Sequence, residues 1–148
     1  MNDLFALQRF VEAQEAGRAY AHVVSELRNG RKVSHWMWFV FPQIAGLGRS
    51  LTAQHFAISG VPEARAYHAH PVLGPRLVEC ARILTELPGT DAVTVLGSVD
   101  AQKLKSSMTL FAQTVPDETV FQEVLDRYFA GKADAATTSR LNWGAATG

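Results

Sequence analysis

Residues 34–50 read SHWMWFVFPQIAGLGRS, and the reading of this stretch decides the fold. It holds two of the three tryptophans, two of the eight phenylalanines, a proline and a Gly46-Leu47-Gly48 turn. It is too apolar to lie in water and too rich in breakers to form a long helix. The composition predicts a buried extended segment over 36–41 that runs into a glycine loop at 46–48. In such a segment successive side chains alternate faces. Trp36, Trp38 and Val40 would then face one way, and His35, Met37, Phe39 and Phe41 the other, with both faces buried.

Outward from this stretch the pattern is helical. Asn2 or Asp3 is placed to cap a first helix with Leu4, Leu7, Phe10 and Val11 on one face. Tyr20, Val23, Val24 and Leu27 mark a second, stopped by Asn29-Gly30. Ser50 precedes a short helix with Phe56. Pro62 and Pro75 each suit the first turn of a helix, and Pro88-Gly89 ends the stripe of Leu77, Cys80/Ala81, Leu84 and Leu87. Asp100 is read as the N-cap of a helix carrying Leu104, Ser107, Met108 and Phe111. Pro116-Asp117 opens the next, with Phe121, Val124, Leu125 and Tyr128 inside, and Asp134 caps a final turn through Leu141. The fold class is mainly α: a single compact domain over 1–148, of about seven helices around the extended aromatic segment. Residues near Trp38 and 93–95 leave room for a short strand or two.

At 148 residues, 47% hydrophobic and 19% charged, the chain has the balance of a soluble globular protein that buries a real core. No apolar run reaches the ~18–20 residues that span a bilayer. The opening MNDLFALQRF has no signal-peptide pattern, so a cytoplasmic location and no membrane partner are expected. The single cysteine, Cys80, excludes an internal disulfide and a thiolate zinc site, and its neighbours read as a helix core face. Fourteen basic and fourteen acidic residues cancel, and the one tight basic cluster is Arg28, Arg31 and Lys32. That balance argues against a nucleic-acid partner.

Five features carry chemistry. An indole beside a cavity holds a planar ring by stacking, which makes Trp36 and Trp38 candidates for a ligand wall. Gln43, entering a dry region, needs partners for both ends of its amide and could read an amide or base edge. Gly46 and Gly48 free backbone N–H groups for an anion, and Arg49 offers a guanidinium fork. Lys103, Ser106 and Ser107 lie three and four residues apart on one helix, where they could clamp a phosphate across from the glycine loop. His35 and Glu79 are the candidates for proton transfer. Each has a bland alternative: core tryptophans, an ordinary loop, small serines that let helices approach, and solvated lysines. His68-x-His70 is too short for a metal site, and neither a metal nor a cofactor is expected.

HWMWFVFPQIAGLG, HPVLGPRL and KLKSSMTLF, in this order, resemble a bacterial family known as domain of unknown function 1810, whose members are often mislabelled calpastatin. The resemblance runs from LQRFVEAQ to YFAGKAD. It implies a small, mainly helical domain and assigns no reaction. Nothing in the chain looks like the polar, disordered repeat of true calpastatin. A fainter similarity, over 103–111 and 121–129, is to the NADAR domain, a family tied to ADP-ribose and related N-glycosides; the chain departs from it in lacking a clear WG-x-G ending, although Trp143-Gly144 is present in the tail. No match to that family's acidic catalytic residue is present.

Together these features predict a small-molecule site, with or without catalysis, for a phosphorylated ribose, ADP-ribose-like or nucleotide ligand. The alternative is a non-catalytic binding or assembly module whose aromatic stretch is only core. The two differ in whether Gln43, Arg49, Lys103 and Ser107 share one hollow with an indole ring.

Overall fold

A computed structural model describes the backbone of residues 3–147 and the side chains of residues 3–142. The helical periodicities become α1 (Gln8–Glu15), a 3-10 turn (Ala16–Arg18), α2 (Ala19–Arg28), α3 (Met37–Val40), α4 (Leu51–His55), α5 (Val61–Ala69), α6 (Leu73–Glu86), α7 (Ala92–Leu96), α8 (Ser98–Thr114), α9 (Val120–Phe129) and α10 (Ala135–Thr147). These segments are shorter and more numerous than the sequence suggested. Leu7, not Asp3, is the residue that flanks the first helix, and the Asp3 carboxylate reaches the helix start from farther back, accepting from the backbone N–H of Leu7 at 2.7 Å and of Gln8 at 2.9 Å. The alternative cap, Asn2, lies outside the described residues. Leu4 stands exposed before the helix rather than on its buried face.

α8 is the central element. From Leu104 to Phe111 its side chains are buried on almost every side, apart from half-buried Lys105, as expected of a helix surrounded by others. α9 packs along both α8 and α6, α5 lies against α6 and α8, and α10 closes the other side of α8. Aromatic contacts tie four helices together. Phe10 meets Tyr67 edge-on at 5.0 Å, Tyr67 meets Phe111 at 5.6 Å, and Phe111 meets Phe121 at 5.6 Å. Cys80 sits in this core, and burial pushes its thiol up to about 12, so it is an inert packing residue.

The aromatic stretch departs from expectation. Met37–Val40 is one turn of α-helix, not an extended segment. Its end is set by Pro42, which disfavours helical backbone at Phe41; that residue adopts φ −123°, ψ 73°. Trp36 and Trp38 therefore do not share a face: Trp36 is buried and Trp38 half-buried. The residues around Val93–Val95 are likewise helical, in α7. Among the described residues the only strand-like pairing is a single parallel bridge between Ile44 and Ile58. The cap of α8 is Gly97 at φ +87°, and Asp100 falls inside its first turn.

Asp134 caps α10 as expected, accepting from the Thr137 N–H at 3.0 Å. Pro62, Pro75 and the Pro88-Gly89 stop also fall where their backbone chemistry places them. One glycine is fixed by space. A Cβ at Gly74 would lie 1.9 Å from the carbonyl oxygen of His68, where α5 and α6 meet. Gly74→Ala is therefore expected to lower stability by about 1–3 kcal/mol, the usual cost of overpacking. Thermal and urea unfolding of the variant against the wild type measure it.

Candidate functional site

The site begins where α2 ends. Gly30 takes φ +71°, its N–H donates to Leu27 O at 2.9 Å, and the Arg31 N–H donates to Glu26 O at 3.1 Å. This left-handed cap satisfies the last carbonyls of α2 and turns the chain back along it. Residues 33–36 then run beside Glu26, whose carboxylate gathers four donors: the N–H groups of Val33 (2.7 Å) and Ser34 (3.0 Å), the Ser34 hydroxyl (2.5 Å) and the Trp36 indole N–H (2.9 Å). Partial burial opposes ionisation of Glu26. The bonds from Ser34, Val33 and Trp36 outweigh it and hold the carboxyl down to about 2.

The loop so fixed is tied to the far wall through Lys32. Its N–H donates to Val95 O at 2.7 Å, at the end of α7. Its ammonium lies 2.8 Å from Asp100 Oδ2, with the side chain only 7% exposed. Lys103 approaches Asp100 Oδ1 at 3.5 Å. Each ammonium also sits over an indole, Lys32 at 5.2 Å from Trp36 and Lys103 at 4.8 Å from Trp38. Both separations fall within cation–π range.

Between the α3 turn and the start of α8 lies an open hollow of about 350 Å³. His35, Met37 and Trp38 line one side, Ser98, Val99 and Asp100 the other, with Lys32 and Lys103 between. The first N–H groups of α8 have no partner within the helix, and the dipole adds positive field there. Gln14 steadies the α3 wall from behind. Buried in α1, it donates to Phe39 O at 2.7 Å and to the Tyr67 hydroxyl at 3.4 Å, and it accepts from Arg76 at 3.2 Å. Trp38, Lys103 and His35 thus line one hollow; of the four residues that the sequence reading required to share it with an indole, Gln43, Arg49, Lys103 and Ser107, only Lys103 does so.

The other expected site residues lie elsewhere. Trp36 is core, with its indole N–H spent on Glu26. Gln43 is half-buried beside the Ile44–Ile58 bridge, where its carbonyl accepts from Ile58 at 2.8 Å. Gly46 and Gly48 do not face α8: Gly46 packs under the Arg140 guanidinium of α10, and Gly48 packs against Ala53. Arg49 is exposed beside them. Ser106 is buried and bonds Gln102 O (3.2 Å) and Asp134 (3.3 Å), while Ser107 is buried in the core. Glu79 lies on α6, where it accepts from the Tyr20 hydroxyl, and no residue of α6 lines the hollow. His70 caps α6 through Nδ1, and His68 bonds Glu118 at 3.1 Å. Among the described residues no group of His, Cys, Asp or Glu could hold a metal, and no helix is long and apolar enough to cross a membrane.

Sequence reasoning missed Lys32, Asp100 and Glu26. Lys32 read as part of an exposed basic cluster, but it turns inward, so that cluster is broken. The available signal was the Asn29-Gly30 reversal, which returns the chain along α2 to the only nearby acid, Glu26. A second hollow, of about 430 Å³, lies between the end of α2, residues 87–91 and Tyr128. Its acid, Asp91, is engaged by Val93 N–H and the Thr94 hydroxyl as the cap of α7.

The family described as "Protein of unknown function (DUF1810)" matches residues 4–141, and the chain belongs to it. The crystal structure of a conserved hypothetical protein from Mycobacterium tuberculosis is 46% identical, covering 95% of this chain and 99% of that one, with a TM-score of 0.92. No protein of curated function matches.

Glu26 carries a pH prediction. Its folded value, about 2, lies below its ordinary 4.5. Its stabilising contribution is therefore complete above about pH 4.5 and is lost as pH falls through that value towards 2. Glu26→Gln is expected to lower stability at pH 7 and to flatten the acid limb between those values. Urea unfolding at stepped pH measures both effects.

Proposed function

We propose that the hollow between α3 and the start of α8 binds a small anion that carries a flat group, of the phosphorylated-ribose or nucleotide type, with ADP-ribose-like molecules as the largest of the class. The observation that carries this reading is the Lys32 ammonium. It is almost wholly withdrawn from water at the edge of a cavity, which is costly for a charge that is not fully compensated. It has three donors, and among the described residues its one ion-pair partner is a carboxylate that it shares with Lys103. Two ammoniums and one carboxylate leave a net positive charge beside a helix N-terminus, an arrangement suited to an anion.

Trp38 supplies a half-buried face for a planar ring next to that charge. The volume of about 350 Å³ is near the lower end of the roughly 300–1,000 Å³ typical of ligand pockets. It suits a sugar phosphate or mononucleotide better than a dinucleotide. His35, exposed at the hollow, is the side chain placed to pass a proton if the ligand reacts. The internal pairing of Lys32, Asp100 and Lys103 favours a second reading, an assembly module in which these charges only brace α8 against the 31–36 loop.

Isothermal titration at low salt with ribose 5-phosphate and adenosine 5′-monophosphate separates the two. Saturable binding by the wild type is expected, with Lys32→Met weakening it by about 10- to 100-fold, the loss of a charged hydrogen bond. Trp38→Ala should weaken the nucleotide more than the sugar phosphate. No binding by a folded wild type leaves the assembly reading.

A further inference from the structure

We infer that Asp100 is the specificity-determining residue of this hollow, selecting an anion that also bears hydroxyl groups over a bare anion. The inference rests on the reading of the hollow as an anion site. A site built only to hold an anion would gain nothing from a carboxylate between its two ammoniums, since like charge opposes the ligand. Asp100 nevertheless lines the hollow, with its side chain 18% exposed, and is rigidly placed in the first turn of α8. Lys32 takes Oδ2 at 2.8 Å, whereas the Lys103 contact to Oδ1 is long, at 3.5 Å.

An ionised carboxylate offers about four acceptor positions, so these two contacts leave capacity unfilled. What would fill it is a neutral donor on the ligand. A hydroxyl adds no charge, and its bond to a carboxylate is of the stronger, charge-assisted kind. The flanking ammoniums offset the charge of Asp100 while supplying donors to the anion itself. A molecule carrying both functions, a phosphate and the hydroxyls of a sugar within one hollow of this size, matches the charges in place. A bare phosphate monoester matches only half of them and meets the carboxylate as a repulsive neighbour.

The experiment compares two ligands across four forms of the full chain. Ribose 5-phosphate carries the anion and the hydroxyls; methyl phosphate carries the anion alone. The wild type is expected to prefer ribose 5-phosphate by at least about tenfold. In Asp100→Asn and Asp100→Ala, methyl phosphate should bind several-fold more tightly, and the preference should fall toward unity. Using both variants guards against one failing to fold, which thermal unfolding checks. Lys32→Met should weaken both ligands in parallel. If both Asp100 variants keep the wild-type preference, or weaken both ligands equally, the assignment of Asp100 is overturned while the anion site stands. If neither ligand binds the folded wild type, the site and this inference fall together.

Discussion

The carboxylate of Glu26 is the contact on which the hollow depends. A loop of eight residues between α2 and α3 has no helix or sheet ladder of its own, and its N–H groups need partners. One side chain on the last turns of α2 provides for three of them and for the adjacent Ser34 hydroxyl: two backbone groups and the Trp36 indole converge on it. Trp36 is thereby drawn into the core, and the turn that follows is aimed so that Trp38 faces α8. Lys32, on the other side of the same loop, is left to reach inward to Asp100. Gln14 performs the complementary task from α1 by holding Phe39 O. Two buried or half-buried polar side chains thus position a wall that packing alone would leave free to rotate.

The resulting arrangement withdraws a cation from water, as α5 withdraws the Glu63 carboxylate that Arg9 meets at 2.8 Å. The core is apolar and aromatic, and its buried polar groups are mostly neutral side chains, with Asp134 capping α10. Lys32 is different. Replacing a buried ion pair by apolar side chains is often neutral or stabilising, so an inward lysine is weak evidence for stability. Its position at a hollow, over one indole and near a second ammonium over another, is what gives it meaning for binding. The Arg76–Glu15 pair, with the Glu15 side chain 59% exposed, contributes little as an ion pair.

Much of the fold was legible because prolines and glycines punctuate it. The stripe of Leu77, Cys80, Ala81 and Leu84 between Pro75 and Pro88-Gly89 could only be one helix. The aromatic stretch was misread because one turn of helix is too short to show a period, and Phe41-Pro42 does force local extension. α7 was ambiguous for a related reason: five residues with two valines and a threonine carry strand propensity, and its cap at Asp91 and contacts with α8 decide the matter. Asp100 was taken for a cap because acidic residues suit both the cap and the first turn. Of the site, the approach of Lys103 to an indole was legible, whereas alternation put His35 on the face opposite Trp38 and both line the hollow. Ser106 and Ser107 were not legible, because the long Lys103 stem carries its charge out to the rim while the short serines one turn on stay in the core. Lys32 and Asp100 are far apart in the chain, and no spacing rule joins them.

The central claim is spatial: charge from the loop after α2 and charge from the first turn of α8 act on one ligand in one hollow. Nuclear magnetic resonance of the labelled chain during titration with ribose 5-phosphate tests it directly. The expected result is a concerted shift of the Lys32 and Lys103 side-chain signals, the Trp38 indole and the amides of 97–100, with the 46–50 loop unmoved. Shifts centred on Gly46, Gly48 and Arg49, or a saturated complex in which Lys32 and Trp38 keep their free positions, would contradict it.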